Sequence, residues 1–91
     1  MLTEEIARKL DIDARLLEKE SLRVYLEARI RQVDADLFRL AKKYGVQTVQ
    51  ELDALVLQGK LHEAETFEDF FAFDHLESER DKLSEALSSL L

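Results

Sequence analysis

An all-α fold is what this chain predicts: an antiparallel hairpin of two long amphipathic helices, with short N-terminal helices and a short connecting helix. Three observations carry that expectation. Apolar residues recur at helical spacing in two long segments. Proline is absent and there are only two glycines, Gly45 and Gly59, so the usual punctuation of β-hairpins is missing. Leu, Ala, Glu, Lys and Arg, all strong helix formers, dominate the composition. Charge divides at Gly45 as well: Leu22–Tyr44 carries +3, Val46–Leu91 carries -8 and Met1–Ser21 carries -2. Two helices of opposite net charge suit an antiparallel pairing, although exposed pairs select orientation more than they stabilise.

Thr3 to Leu10 reads as a first short helix. Thr3 is its expected N-cap, and the pairs Glu4–Arg8 and Glu5–Lys9 stand four residues apart. Asp11-Ile12-Asp13 breaks it, and Asp13 caps a second run from Ala14 to Glu20, with Ser21 as a kink or fresh cap. Residues 1–20 are thus expected to form an N-terminal hook that lays Ile6, Leu10, Leu16 and Leu17 on the hairpin. Leu26, Ile30, Val33, Leu37, Leu40 and Tyr44 then step by 4, 3, 4, 3, 4, a heptad seam. Val24, Ala28, Ala35, Phe38 and Ala41 widen the apolar face beyond what one partner helix covers, which favours packing against more than one element. Lys42 and Lys43 complement the negative helix end, and Gly45 is the natural left-handed terminator.

Thr48-Val49-Gln50-Glu51 is a capping box that opens a short helix over 49–58, closed by Gly59. Its Leu52, Leu55 and Val56 are expected to lie over one end of the hairpin. Lys60 to Glu65 reads as a polar connector. Thr66-Phe67-Glu68-Asp69 resembles a second capping box, from which the last helix runs to about Ser89. There Phe73, Leu76, Arg80, Leu83, Leu87 and Leu90 form the facing seam, with Arg80 as the polar intruder. No composition break suggests more than one domain, so 1–91 is expected to be a single helical domain with the hairpin in 21–91.

Composition excludes several functions. Cysteine is absent, so disulfides, thiolate ligands and Cys nucleophiles are out. His62 and His75 stand 13 residues apart, and neither has a Glu three positions before it, so neither supplies a metal-binding helix motif. No Gly-rich phosphate loop or nucleophile elbow occurs. The expectation is no enzyme, no metal and no cofactor. Met1-Leu2-Thr3-Glu4-Glu5 lacks a secretory start and no apolar run reaches the ~20 residues that span a bilayer, which predicts a cytoplasmic chain off the membrane. The overall charge of -7 makes nucleic acid an unfavoured partner and a basic protein a suitable one.

Four of the five Phe residues (Phe67, Phe70, Phe71, Phe73) fall within seven positions and cover a wide arc of the last helix. Either the short helix buries the excess, or Phe67, Phe70 and Phe71 form an aromatic patch ringed by Glu68, Asp69 and Asp74 that binds a basic protein. A helix-turn-helix reading of the N-terminus is the alternative. Glu5-Ile6-Ala7-Arg8-Lys9-Leu10 would be its first helix, and Arg15, Lys19 and Arg23 would face DNA from the second. A net negative segment, with Asp11 where glycine is usual, speaks against it.

The order of elements, Lys42-Lys43-Tyr44-Gly45-Val46, then Gln47 to Leu55, then Ala64-Glu65-Thr66-Phe67-Glu68-Asp69-Phe70-Phe71 and a helix from Asp74-His75-Leu76, resembles small acidic helical antitoxin-like proteins of archaea and bacteria. The likeness covers about Ser21 to Leu90. It implies a protein-binding, non-catalytic role, and a homo-oligomer (dimer or tetramer) is the expected state of the free chain.

Overall fold

Asp13 decides where the long helix begins. Its backbone is extended (φ -68°, ψ 130°) and its carboxylate accepts the Arg15 N–H at 2.7 Å, satisfying a donor that the first turn leaves unpaired. In the computed structural model the order is α1 (Leu2–Leu10), α2 (Ala14–Tyr44), α3 (Val49–Leu57) and α4 (Glu63–Ser88), with no strand among the described residues. The backbone of all 91 residues is described, and the side chains of all but Glu63 and Glu65.

Four expectations change. Thr3 is not a cap: α1 starts one residue earlier, Met1 stands at the N-cap position without a side-chain bond, and Thr3 lies half-buried inside the first turn. Glu4 and Glu5 in that turn favour the positive helix end from the earlier start. Ser21 neither kinks nor restarts the chain, because α2 runs unbroken through it for 31 residues. Arg23 bridges Glu20 and Glu27 one turn to either side, tying the helix together where a break was expected. The Thr66 capping box does not form. α4 begins three residues earlier, Thr66 is buried, and its hydroxyl donates back to the His62 carbonyl at 3.1 Å. Finally, the N-terminal hook rests on α2 through buried Ala7, while Ile6, Leu10 and Leu16 stay exposed.

Other signals are met as read. Gly45 takes the left-handed conformation (φ 67°) that ends α2, and its N–H reaches the Ala41 carbonyl. The Thr48 hydroxyl accepts the Glu51 N–H, and the Glu51 carboxylate returns to Gln47 N–H at 2.7 Å, one residue before the usual target. A third acceptor comes from α4: the Glu77 carboxylate takes the Val49 N–H at 3.0 Å. The start of α3 is thereby fastened to the side of α4.

α2 and α4 make the most extensive contact in the molecule. Lys43, at the end of α2, meets Asp69 near the start of α4, while Asp34 and Arg29, further back along α2, meet Arg80 and Glu79 further along α4: the pairing is antiparallel. Arg80 thereby satisfies its charge on Asp34 from within the apolar seam.

The core is small, and its main cluster lies at one end. Leu40, Val46, Val49, Leu52 and Phe73 form its buried cluster, with Leu37, Tyr44, Leu55, Phe70 and Leu76 packed around it. Away from α3 the packing is thinner: Val33 is buried in the seam and Ala7 under α1, but Leu26, Ile30, Leu83, Leu87 and Leu90 reach no more than intermediate burial. The molecule measures 61 × 20 × 19 Å with a radius of gyration of 18.9 Å, against about 12 Å for a compact chain of this length.

Candidate protein-interaction site

α4 turns its Phe residues in two directions. Phe73 enters the core (1% exposed) and Phe70 packs against that core from its edge. Phe67 and Phe71, one turn apart, remain 56% and 55% exposed. Their rings meet edge-to-face with centroids 4.8 Å apart, and Phe71 makes a second such contact with Phe70 at 5.7 Å. Burial by the short helix therefore accounts for Phe73 and part of Phe70. It does not account for the outer pair.

α3 supplies the other wall. Asp53, Val56, Thr66, Phe67, Phe70 and Phe71 line an apolar groove of about 130 Å³. Leu57, 79% exposed at the end of α3, stands close by in sequence to this wall. Val56 was expected only to lie over the hairpin end, and Asp53 was not singled out from the sequence. Their signal was the i, i+3 spacing on a helix whose Leu52 and Leu55 already had core roles.

The expected acidic rim is only partly present. Asp74 shares the helical face of Phe67 and Phe71, and Glu68 is exposed to one side of it. Asp69 faces the other way: its carboxylate accepts bonds from the Lys43 ammonium and the Tyr44 hydroxyl, each at 2.5 Å. The Lys43 bond, reinforced by that of Tyr44, holds the Asp69 carboxyl below the ordinary aspartate range. Burial, then the bond to Asp69, pushes the Tyr44 phenol up. Asp69 thus holds α4 to the end of α2, while Asp53 takes a place on the rim.

For the DNA alternative, Arg15, Lys19 and Arg23 do lie along one face of α2, but that stretch is the first third of a continuous helix rather than a separate recognition helix. Arg23 is bound by Glu20 and Glu27, which offsets its charge. Asp11 occupies the turn with φ 61°, the left-handed geometry for which glycine was expected. His62 precedes α4 and His75 is exposed on it. Among the described residues no three His, Cys, Asp or Glu side chains gather as metal ligands, and no helix is long and apolar enough to cross a membrane.

No curated protein and no solved structure matches the chain. A family model does, from residue 1 to 91, further than the Ser21–Leu90 span over which the antitoxin likeness was drawn, and its description names neither an activity nor a toxin partner. By that match the chain belongs to the Uncharacterized protein MJ0235 family.

Proposed function

We propose that this chain is a non-enzymatic protein-interaction module whose binding surface is the Phe67–Phe71 ridge over the α3–α4 groove. The partner is a basic protein. The most concrete form is antitoxin-like neutralisation, in which the ridge occludes a functional surface of the partner. One observation carries the reading: two adjacent Phe rings stay more than half exposed beside an apolar groove. A fully buried Phe hides 150–250 Å², so the pair leaves about 200 Å² open, worth at most about 5 kcal/mol once covered. Asp53, Glu68 and Asp74 provide charge complementarity at its edge, which favours encounter with cationic groups.

Affinity capture from the native lysate with tagged chain, run beside Phe67→Ser/Phe71→Ser, tests this. The expected result is one stoichiometric basic protein that the double variant loses about 100-fold in affinity, with far-UV helicity unchanged. Phe70 is left intact because it also touches the core. A partner held equally well by the double variant would refute the site. Retention on DNA that steepens at low salt and vanishes with Arg15→Ala/Lys19→Ala would replace the reading with nucleic-acid binding.

A further inference from the structure

The apolar residues expected to widen α2 toward a second element are uncovered. Val24, Tyr25 and Phe38 are 57%, 60% and 69% exposed, and Ala28 and Ala35 are exposed as well. Val24, Ala28, Ala35 and Phe38 belong to a second heptad register, two positions behind the seam that meets α4, and so occupy the opposite face of the helix, with Tyr25 at its edge. Val24, Ala28, Arg31, Ala35, Phe38 and Lys42 step by 4, 3, 4, 3, 4. α4 has no such stripe, since its outward positions are His75, Ser78, Asp81, Lys82 and Glu85. α1 borders α2 around Leu17, Ser21 and Leu22, and every strip residue from Val24 to Lys42 is exposed.

We propose that this strip is the interface with a second copy of the chain, the two α2 helices crossing antiparallel about a two-fold axis near position 33. Surface area argues for an occupant. The chain exposes 7089 Å², about 1,600 Å² more than a compact monomer of its mass. A standard interface removes about 800 Å² from each partner, well within that excess. Charge selects the occupant and its direction. Glu20 and Glu27, which share Arg23 between them, flank the N-terminal end of the strip; Arg31 sits near its middle, and Arg39 and Lys42 mark its C-terminal half. An antiparallel copy sets Lys42 between the other copy's Glu20 and Glu27, stacks Arg39 beside Tyr25, and seats Phe38 over Ala28, large against small. Parallel copies would instead align Arg31 with Arg31 and Lys42 with Lys42 in the seam.

This interface is separate from the Phe67–Phe71 ridge, so each can fail alone. Sedimentation of the full chain at micromolar concentration should give twice the 10.6 kDa chain mass. Phe38→Glu, a substitution at an exposed position repeated by the two-fold axis, should raise the dissociation constant about 100-fold and keep far-UV helicity. Phe67→Ser/Phe71→Ser should stay dimeric. Because the chain lacks cysteine, single thiols report direction in an otherwise native surface. Gln32→Cys, next to the axis, should cross-link with a short bis-maleimide. Val24→Cys should not, since the two copies of position 24 lie about 27 Å apart. A monomeric native chain, a dimer indifferent to Phe38→Glu, or efficient cross-linking at Val24→Cys would each overturn the proposal.

Discussion

Leu52→Ala should cost far more than Leu83→Ala, although each removes the same atoms from a leucine. Leu52 is fully buried, at 0% exposure, in the cluster with Leu40, Val46, Val49 and Phe73. Leu83 sits where only α2 and α4 meet and is half-buried. For the first, the loss of burial and the residual cavity together give about 3–4 kcal/mol. The second forfeits part of one side chain's burial and opens toward solvent, so about 1 kcal/mol is expected. A domain of this size holds roughly 5–9 kcal/mol in all. Leu52→Ala should therefore lower Tm by roughly 12–32 °C, at about 4–8 °C per kcal/mol. Urea titration followed by far-UV circular dichroism supplies the values, with protein concentration held fixed because self-association would shift apparent stability. Equal costs at the two leucines would refute the claim that the tightest packing lies at the α3 end.

Capping gives a second contrast: Thr48→Ala should destabilise by about 1 kcal/mol, whereas Thr3→Ala, within its helix and without a cap bond, should change stability by under about 0.5 kcal/mol in the same titration. Asp69→Asn should cost about 1 kcal/mol at neutral pH, through weaker bonds to Lys43 and Tyr44. Since the folded Asp69 carboxyl lies below its ordinary value, its contribution is complete above the unfolded pKa near 4 and fades as pH falls through the folded value. The variant's deficit should accordingly shrink in acid, and thermal scans at stepped pH would show a constant deficit if the reasoning fails. Arg80→Leu should leave Tm unchanged or raised: the exposed Asp34 pair is worth under about 1 kcal/mol, and leucine restores the apolar seam. A marked loss in calorimetry would show that the pair matters more than its exposure implies.

The long-range architecture was legible because each device acts within a turn or two of sequence. Asp13, Gly45 and the Thr48–Glu51 box are local donors, acceptors and backbone preferences, and the heptad from Leu26 to Tyr44 is a local period. Where reading failed, a competing local choice had the same chemistry. Thr66 followed by Asp69 satisfies the pattern of a capping box, but the chain had already entered the helix at Glu63, leaving the hydroxyl to bond backward and Asp69 to bond across to α2. Ser21 looked like a boundary because serine caps helices, and the Glu20–Arg23–Glu27 ladder overrode it.

The candidate sites were half legible for a geometric reason. Period and composition tell how many apolar residues a helix carries, and both α2 and α4 carry more than one antiparallel neighbour can cover. Which surplus is buried depends on where α3 lies, and that is fixed across the fold by Glu77 on the Val49 N–H. With α3 held there, Phe73 and Phe70 are drawn inward and Phe67 and Phe71 are left out. The surplus of α2 falls on the far side of the molecule, beyond the reach of α3. The two exposed apolar surfaces thus follow from one placement: a short helix that can close only one end of a hairpin leaves a ridge beside itself and a strip behind it. A 91-residue chain with so few buried side chains draws little stability from its own core, which is why both surfaces stay apolar and open.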